Sequence, residues 1–325
     1  MKIAVFGAGA TGGHFAALLS RSGQDVSVVV RGETLAAVRR SGLTLRTDEG
    51  EIRAELRASD NAGELGAQDL VLVTLKSHAL PEAAEAISPL LGPDTPVVFL
   101  QNGIPWWYHH GVGGSREGRR MTDLDPTDAL WRVIGPQRVI GGVTSSACTV
   151  LAPGLIEVKG GNRALTLGEP SGQDTPRLRQ AAEALRKAGF PVETTAAIRD
   201  AIWTKLALNL GSGPMGVLVP VPIRDLFAEQ VLVDARFRVL AEVAATAIAV
   251  GSRADIDFAG QLAFAQRSPH VPSIAQDAAA GRRIELESMF LAPLRMAREQ
   301  GVSTPTLDLL VTLATVKARA EGLYP

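Results

Sequence analysis

The 325-residue chain has one cysteine, Cys148, only two tyrosines, and 5% aromatic residues overall. A lone cysteine can form neither an internal disulfide nor a cysteine-based zinc site, so the chain suits a reducing compartment and cytoplasm is the expected location. The chain also has no excess of either charge. Its 33 Lys plus Arg against 34 Asp plus Glu leave a formal charge of −1, so no global field recruits nucleic acid or an anionic membrane, and any anion site must be local. Long hydrophobic runs are missing as well: no stretch approaches the roughly 18 apolar residues of a membrane span. The opening run Met1–Gly7 is broken by glycines before it could serve as a signal-peptide core. Histidines are few, at 14, 78, 109, 110 and 270. They show no His-x-x-x-His spacing, and no metal site is expected. Arg116, Arg119 and Arg120 lie in a glycine-rich stretch without a reading helix, which argues against nucleic acid as a partner. What is present, 46% hydrophobic and 21% charged residues over this length, describes a soluble globular protein of two domains.

From residue 1 to about 195, short β-branched runs alternate with amphipathic helical stretches, as βα units on a largely parallel sheet do. Ile3 to Phe6, Val26 to Val30, Leu70 to Thr74 and Val97 to Leu100 are continuous apolar runs, the pattern of strands buried on both faces. Beyond about Thr195 the strand runs stop, and 3.6-period stretches at 196–210, 225–250, 274–300 and 304–320 take over. The expected domains are therefore 1–195, α/β, and 196–325, all helical. Thr175-Pro176 and Thr304-Pro305 place a cap before a first-turn proline, and Ser273 with Gln276 forms a capping-box pattern. Residues 105–128, beginning Pro105-Trp106-Trp107-Tyr108-His109-His110, break the rhythm. They read either as a surface excursion or as a lid or pocket wall built on the aromatic cluster.

Directly after the first strand stands Gly7-Ala8-Gly9-Ala10-Thr11-Gly12, a G-x-G-x-x-G pattern leading into a helix. Glycines 7 and 9 allow a tight turn and close approach to a pyrophosphate, Gly12 lets helix and sheet pack closely, and the helix N-terminus offers N–H groups to an anion. Strand, loop, helix and second strand together indicate dinucleotide binding. Where an acidic residue often meets the NAD ribose, this chain has Arg31, whose guanidinium suits the 2′-phosphate of NADP. The alternative is a surface arginine with Glu33 serving the ribose of NAD. Lys76, at the end of the third strand run, can add positive charge at the same edge or stay solvated.

In the helix near 198, Lys205 and Asn209 lie within about 40° of each other on a stripe shared with Ile198 and Ile202. A lysine there either snorkels to water or is held in a cleft, where burial lowers its pKa toward acid–base use. Glu285 is a candidate counter-charge for it, or a dipole partner of its own helix. Ser273 has a sufficient role as a cap.

Taken together, Gly7-x-Gly9-x-x-Gly12, Arg31, Lys76 in Val-Thr-Leu-Lys, Gln101-Asn102-Gly103, Trp203-x-Lys205-Leu206-x-x-Asn209 and Ser273-x-x-Gln276-Asp277 with Glu285 resemble the ketopantoate reductase (2-dehydropantoate 2-reductase) family. The resemblance implies a Rossmann domain joined to a helical domain like that of 6-phosphogluconate dehydrogenase, and reduction of a 2-keto acid with NADPH, most directly 2-dehydropantoate to (R)-pantoate for coenzyme A precursor synthesis. It implies Lys205 as the general acid and Glu285 as the group that orients it. It places Asn102 by the nicotinamide and its ribose, and Asn102, Asn209 and Ser273 on the substrate. Gly7, Ala8, Gly9, Ala10, Thr11, Gly12, Arg31 and Lys76 would hold NADP, with NAD as the other possibility. A small-molecule substrate is the implied partner, and a homodimer is suggested by analogy with such helical domains.

The sequence also departs from the family pattern. Gly213 replaces a substrate-facing asparagine four residues after Asn209, Phe290-Leu291 replaces an Asn-Gly pair, His270 replaces an amide, and the 105–128 connection is longer than usual. These changes strip polar contacts from the pocket and point to a less polar or larger substrate. One alternative is a related NAD(P)-dependent alcohol or 2-hydroxy-acid dehydrogenase whose pocket is rebuilt by Trp106, Trp107, Tyr108 and Phe290. Another is a cofactor-sensing binding protein without chemistry.

Overall fold

Runs such as Leu70–Val73, in which every residue is buried, have no polar face to offer water, so they pair on both edges inside a sheet. The computed structural model describes residues 1–160 and 164–325, and the chain divides into two compact units. The first comprises Met1–Gln101 and Trp106–Ile198, the second Asn102–Pro105 and Arg199–Pro325. The sequence places the division between 195 and 196; the four residues 102–105 join the second unit.

In the first unit the strands are β1 (Lys2–Phe6), β2 (Asp25–Val29), β3 (Leu43–Thr47), β4 (Gly50–Ala54), β5 (Arg57–Ser59), β6 (Leu70–Val73), β7 (Val97–Phe99), β8 (Val139–Thr144), β9 (Cys148–Ala152), β10 (Leu155–Val158), β11 (Leu165–Gly168) and β12 (Val192–Thr194). Eight form one sheet in the order β12-β11-β8-β7-β6-β1-β2-β5. Every neighbouring pair is parallel except β8 with β11. The helices of this unit are α1 (Ala10–Arg21), α2 (Gly32–Ser41), α3 (Leu80–Ile87) and α4 (Pro176–Lys187). As the cap pattern predicts, Thr175 accepts the Leu178 N–H and Pro176 opens α4.

The sequence reading missed a second sheet of four short strands, β4-β3-β10-β9. It carries α1 on one face, and a Cβ at Gly13 would overlap Ile156 of β10. Residues 111–123 lie at the surface, as an excursion would, but the aromatic cluster that opens the segment is no lid. Trp106, Trp107 and Tyr108 are 2%, 1% and 2% exposed, so they are core, and the physical reason is their aromatic surroundings. Trp106 meets Phe99 and Trp131 edge-on, while Trp107 packs over Gly141, where a Cβ would lie 2.7 Å from the indole. Glu117 ties the segment down by accepting the Gly111 and Gly113 N–H groups, and Arg120 stacks 3.6 Å over the Trp131 ring.

The second unit contains no strand among the described residues. Its helices are α5 (Ile198–Leu210), α6 (Gly213–Leu218), α7 (Ile223–Leu226), α8 (Gln230–Ala249), α9 (Phe258–Ala265), α10 (Ser273–Ala279), α11 (Ala292–Glu299) and α12 (Pro305–Ala320). The single helix expected over 274–300 is interrupted after Ala279 and resumes through a π-helical turn, Glu287–Leu291. The capping box at Ser273 does not form. Pro272 is the cap, Ser273 is the first helical residue, and the Gln276 amide donates to Val271 O at 2.7 Å. Thr304 caps α12 by position, but its hydroxyl donates to Asp308. Among the described residues no helix is long and apolar enough to cross a membrane.

Candidate active site

In the first unit, β1 lies between β2 and β6, and beyond their carboxyl ends sits the glycine-rich loop, where open α/β sheets bind ligands. Gly7 donates to Val29 O at 2.9 Å and has φ +94°, a backbone conformation that favours glycine. Its carbonyl accepts the Thr74 hydroxyl at 2.6 Å, which braces the loop from the end of β6. A Cβ at Gly12 would overlap Gly7 O and Thr74 Oγ1, so α1 starts this close to the loop only with glycine there. Gly9, the α1 cap, is exposed, and open space surrounds its Cβ position. Ala8, Ala10 and Thr11 complete the turn into α1. The first-turn N–H groups of that helix have no intrahelical acceptor, which suits an anion. Arg31 follows β2 as the exposed cap of α2, and Lys76, also exposed, follows β6. This geometry fits a dinucleotide pyrophosphate at Gly7–Gly12 and a further anionic group beside Arg31 or Lys76. Thr74, passed over in the sequence except as part of Val-Thr-Leu-Lys, is the added member.

In the second unit, Lys205 and Asn209 stand one turn apart on α5, both half-buried. Desolvation pushes the Lys205 ammonium below its ordinary 10.5. The His270 imidazole is pushed below 6.5, first by desolvation and then by the charge of Lys205, so the two groups share one neighbourhood. The Asn209 Nδ2 is buried and has no hydrogen-bond partner among the described residues. After the turn that ends α5, Gly213 opens α6 against the ring of Phe290 and a methyl of Ile274. That contact packs α6 against α10, whose first-turn residue Ser273 is exposed, and against the π-helical turn. Glu285, 5% exposed, stands two residues before that turn.

Asn102 reaches the same turn through its neighbours. The Ile104 N–H donates to Ser288 O at 2.8 Å, and Gly103, at φ +84°, lies so close that a Cβ would stand 2.8 Å from Met289 N. Gly103 was part of the Gln-Asn-Gly motif, yet its close approach to Ser288 required tertiary contact to appear. Lys205, Asn209, His270, Ser273, Glu285 and Asn102 all belong to the second unit, with His270 near Lys205 and the neighbours of Asn102 on the π-helical turn. Trp106, Trp107 and Tyr108 belong to the core of the first unit, so the sequence-based idea of a pocket wall made from them does not describe their packing.

Chemically, the first unit offers an anion cradle at a sheet edge. The second offers an ammonium with a lowered pKa next to an unsatisfied amide donor. The family described as ketopantoate reductase PanE/ApbA matches residues 3–172, and its C-terminal counterpart matches 197–318. A 2-dehydropantoate 2-reductase of Mesorhizobium japonicum is 41% identical over 326 residues, covering 100% of both chains. A Ralstonia solanacearum MolK2 crystal structure assigned as a ketopantoate reductase superposes with a TM-score of 0.93 at 32% identity, covering 99% of each chain. D-mandelate dehydrogenase, solved with NADH and anilino(oxo)acetate, shares the fold at TM-score 0.82 and 22% identity, over 99% and 100% of the two chains. With both family regions matched and a full-length relative at this identity, the chain belongs to the ketopantoate reductase family of nicotinamide-dependent oxidoreductases acting on CH–OH groups.

Proposed function

We propose that this protein reduces a 2-keto acid to a 2-hydroxy acid with NADPH, and that 2-dehydropantoate, giving (R)-pantoate, is the reference substrate. The observation that carries the reading is Lys205, an ammonium whose pKa desolvation lowers, one helical turn from the Asn209 amide. Reduced nicotinamide, when bound, supplies the hydride to the carbonyl carbon. As the C=O π electrons move onto oxygen, the Lys205 Nζ–H donates to the growing negative charge and transfers its proton, leaving a neutral amine that regains a proton from water. Glu285 is the group proposed to orient Lys205 and favour its charged form before transfer. Asn102, Asn209 and Ser273 supply donors for the substrate carboxylate and hydroxyl. Gly7–Gly12 hold the pyrophosphate, and Arg31 with Lys76 takes the 2′-phosphate.

The test is steady-state oxidation of NADPH and NADH with 2-dehydropantoate by the wild type and Lys205→Ala. Turnover with NADPH preferred, and a loss of roughly 10²–10⁴ in kcat for the variant, is expected for removal of a general acid. Unchanged turnover by Lys205→Ala would overturn the assignment.

A further inference from the structure

Where α12 stops, the chain turns back in a Schellman arrangement. Gly322, at φ +69°, donates to Arg319 O at 3.0 Å, and the Leu323 N–H returns to Ala318 O at 2.8 Å. The turn delivers Leu323 and Tyr324 to the segment that contains Glu285. The Ile284 N–H donates to Leu323 O at 3.1 Å, and the Tyr324 hydroxyl donates to Glu287 Oε2 at 2.6 Å. Glu285 thus stands between two fastened residues, one before it and one two places after it.

The charges around this junction complete the hold. Arg295 of α11 donates to Oε1 of Glu287, so the two oxygens of one carboxylate are taken by an arginine and a tyrosine. Arg319 of α12 lies 5.6 Å from the centre of the Tyr324 ring and donates through Nε to Pro325 O at 3.1 Å. Ser288, the next residue along, accepts the Ile104 N–H, so the strap takes over where the Leu323–Tyr324 contact ends. Burial and the Glu287 carboxylate push the Tyr324 phenol up to about 12, and its hydroxyl remains a donor where Lys205 titrates.

From these bonds, and resting on the reading above that Glu285 orients Lys205, we infer that Tyr324 is a positioning residue for the proton donor: by holding Glu287, while Leu323 holds Ile284, it fixes the backbone that carries Glu285. Tyr324 acts only through that carboxylate. A loosened Glu285 withdraws negative charge from the Lys205 ammonium, the lysine pKa falls, and the basic limb of the pH profile moves to lower pH. His270, which lies near Lys205, has its pKa below 6.5 and is neutral across that limb.

The test is the pH profile of kcat/KM for 2-dehydropantoate with NADPH in the wild type, Tyr324→Phe, Glu285→Gln and the double variant. Tyr324→Phe keeps the half-buried ring and removes one hydroxyl. The expected result is a kcat lower by about three- to tenfold with the KM for NADPH unchanged, and a basic limb displaced to lower pH by about 0.5 or more. Both effects should vanish in the Glu285→Gln background, because the hydroxyl then has no carboxylate to position. A limb that Glu285→Gln moves and Tyr324→Phe leaves in place overturns the role of Tyr324 while the Glu285 reading stands. So does a Tyr324→Phe effect of equal size in both backgrounds, or a lowered thermal midpoint with an unmoved limb, which is what a purely structural tyrosine gives. A limb unmoved by Glu285→Gln overturns the Glu285 reading and the proposal with it, and no turnover by the wild type overturns the keto-acid reading as well.

Discussion

At the level of single residues, the site turns on how burial treats charge. Lys205 is desolvated and its pKa lies below 10.5. A general acid must be protonated, so kcat/KM for keto-acid reduction should be flat at lower pH and fall as pH rises through that lowered pKa. A plot of kcat/KM against pH with its basic limb at or above 10.5 would contradict the assignment. A second buried cation behaves differently. Arg236 is 1% exposed, and its Nε and Nη1 have no hydrogen-bond partner among the described residues. Its guanidinium lies against Gly211, 4.9 Å from the Phe227 ring centre, and burial lowers its pKa to about 10. Removing a buried charge that lacks strong compensation relieves desolvation. Arg236→Met is therefore expected to leave the unfolding free energy from urea titration unchanged or raise it, and a drop of more than about 2 kcal/mol would show that the cation–π contact outweighs the desolvation. Neither property was legible in the sequence, where Lys205 had two open readings and Arg236 was one arginine of an amphipathic helix. Helical spacing puts residues on a face, but only the packed neighbours set how much water remains there.

Among the elements, those with continuous apolar runs were legible and those with mixed patterns were not. β1, β2, β6 and β7 fall within a residue or two of their expected bounds because both faces of each are buried. The small sheet escaped notice because it is assembled from strands far apart in sequence, with Leu155 paired to Thr44, and because β9 is largely exposed. The interruption of the expected helix at 274–300 has a comparable cause: Asn102–Pro105 docks on the π-helical turn through Ile104 and Gly103, a contact that a local pattern does not contain. Gly103→Ala would force a side chain onto a positive φ and against the Ser288 carbonyl. Strain of this kind costs about 1–3 kcal/mol. A lower thermal midpoint together with a raised KM for the keto acid is expected, because Asn102 is displaced with its neighbour. A midpoint equal to wild type would show that the strap is not held by this contact.

For the whole molecule, near-neutrality has a kinetic consequence. With a formal charge of −1, no long-range field steers a dinucleotide, and preference for a phosphorylated one has to come from local cations such as Arg31 and Lys76. Charge-assisted bonds to phosphate are worth about 1.5–3 kcal/mol. Arg31→Ala should therefore cut the NADPH over NADH ratio of kcat/KM about tenfold or more, and flatten the rise of the NADPH KM with salt. An unchanged ratio would return Arg31 to the status of a surface arginine. The sequence by itself determined the class of the protein: apolar strand runs, a glycine loop at a strand-to-helix junction and a Trp-x-Lys-Leu-x-x-Asn helix are local patterns, and local geometry follows from local sequence. Only the tertiary structure decided that Trp106 and Trp107 are core, that Gly103 anchors a strap and that Phe290 fills the space Gly213 leaves. Each of those depends on which distant residues come into contact, and steric fit between distant residues has no period in the chain.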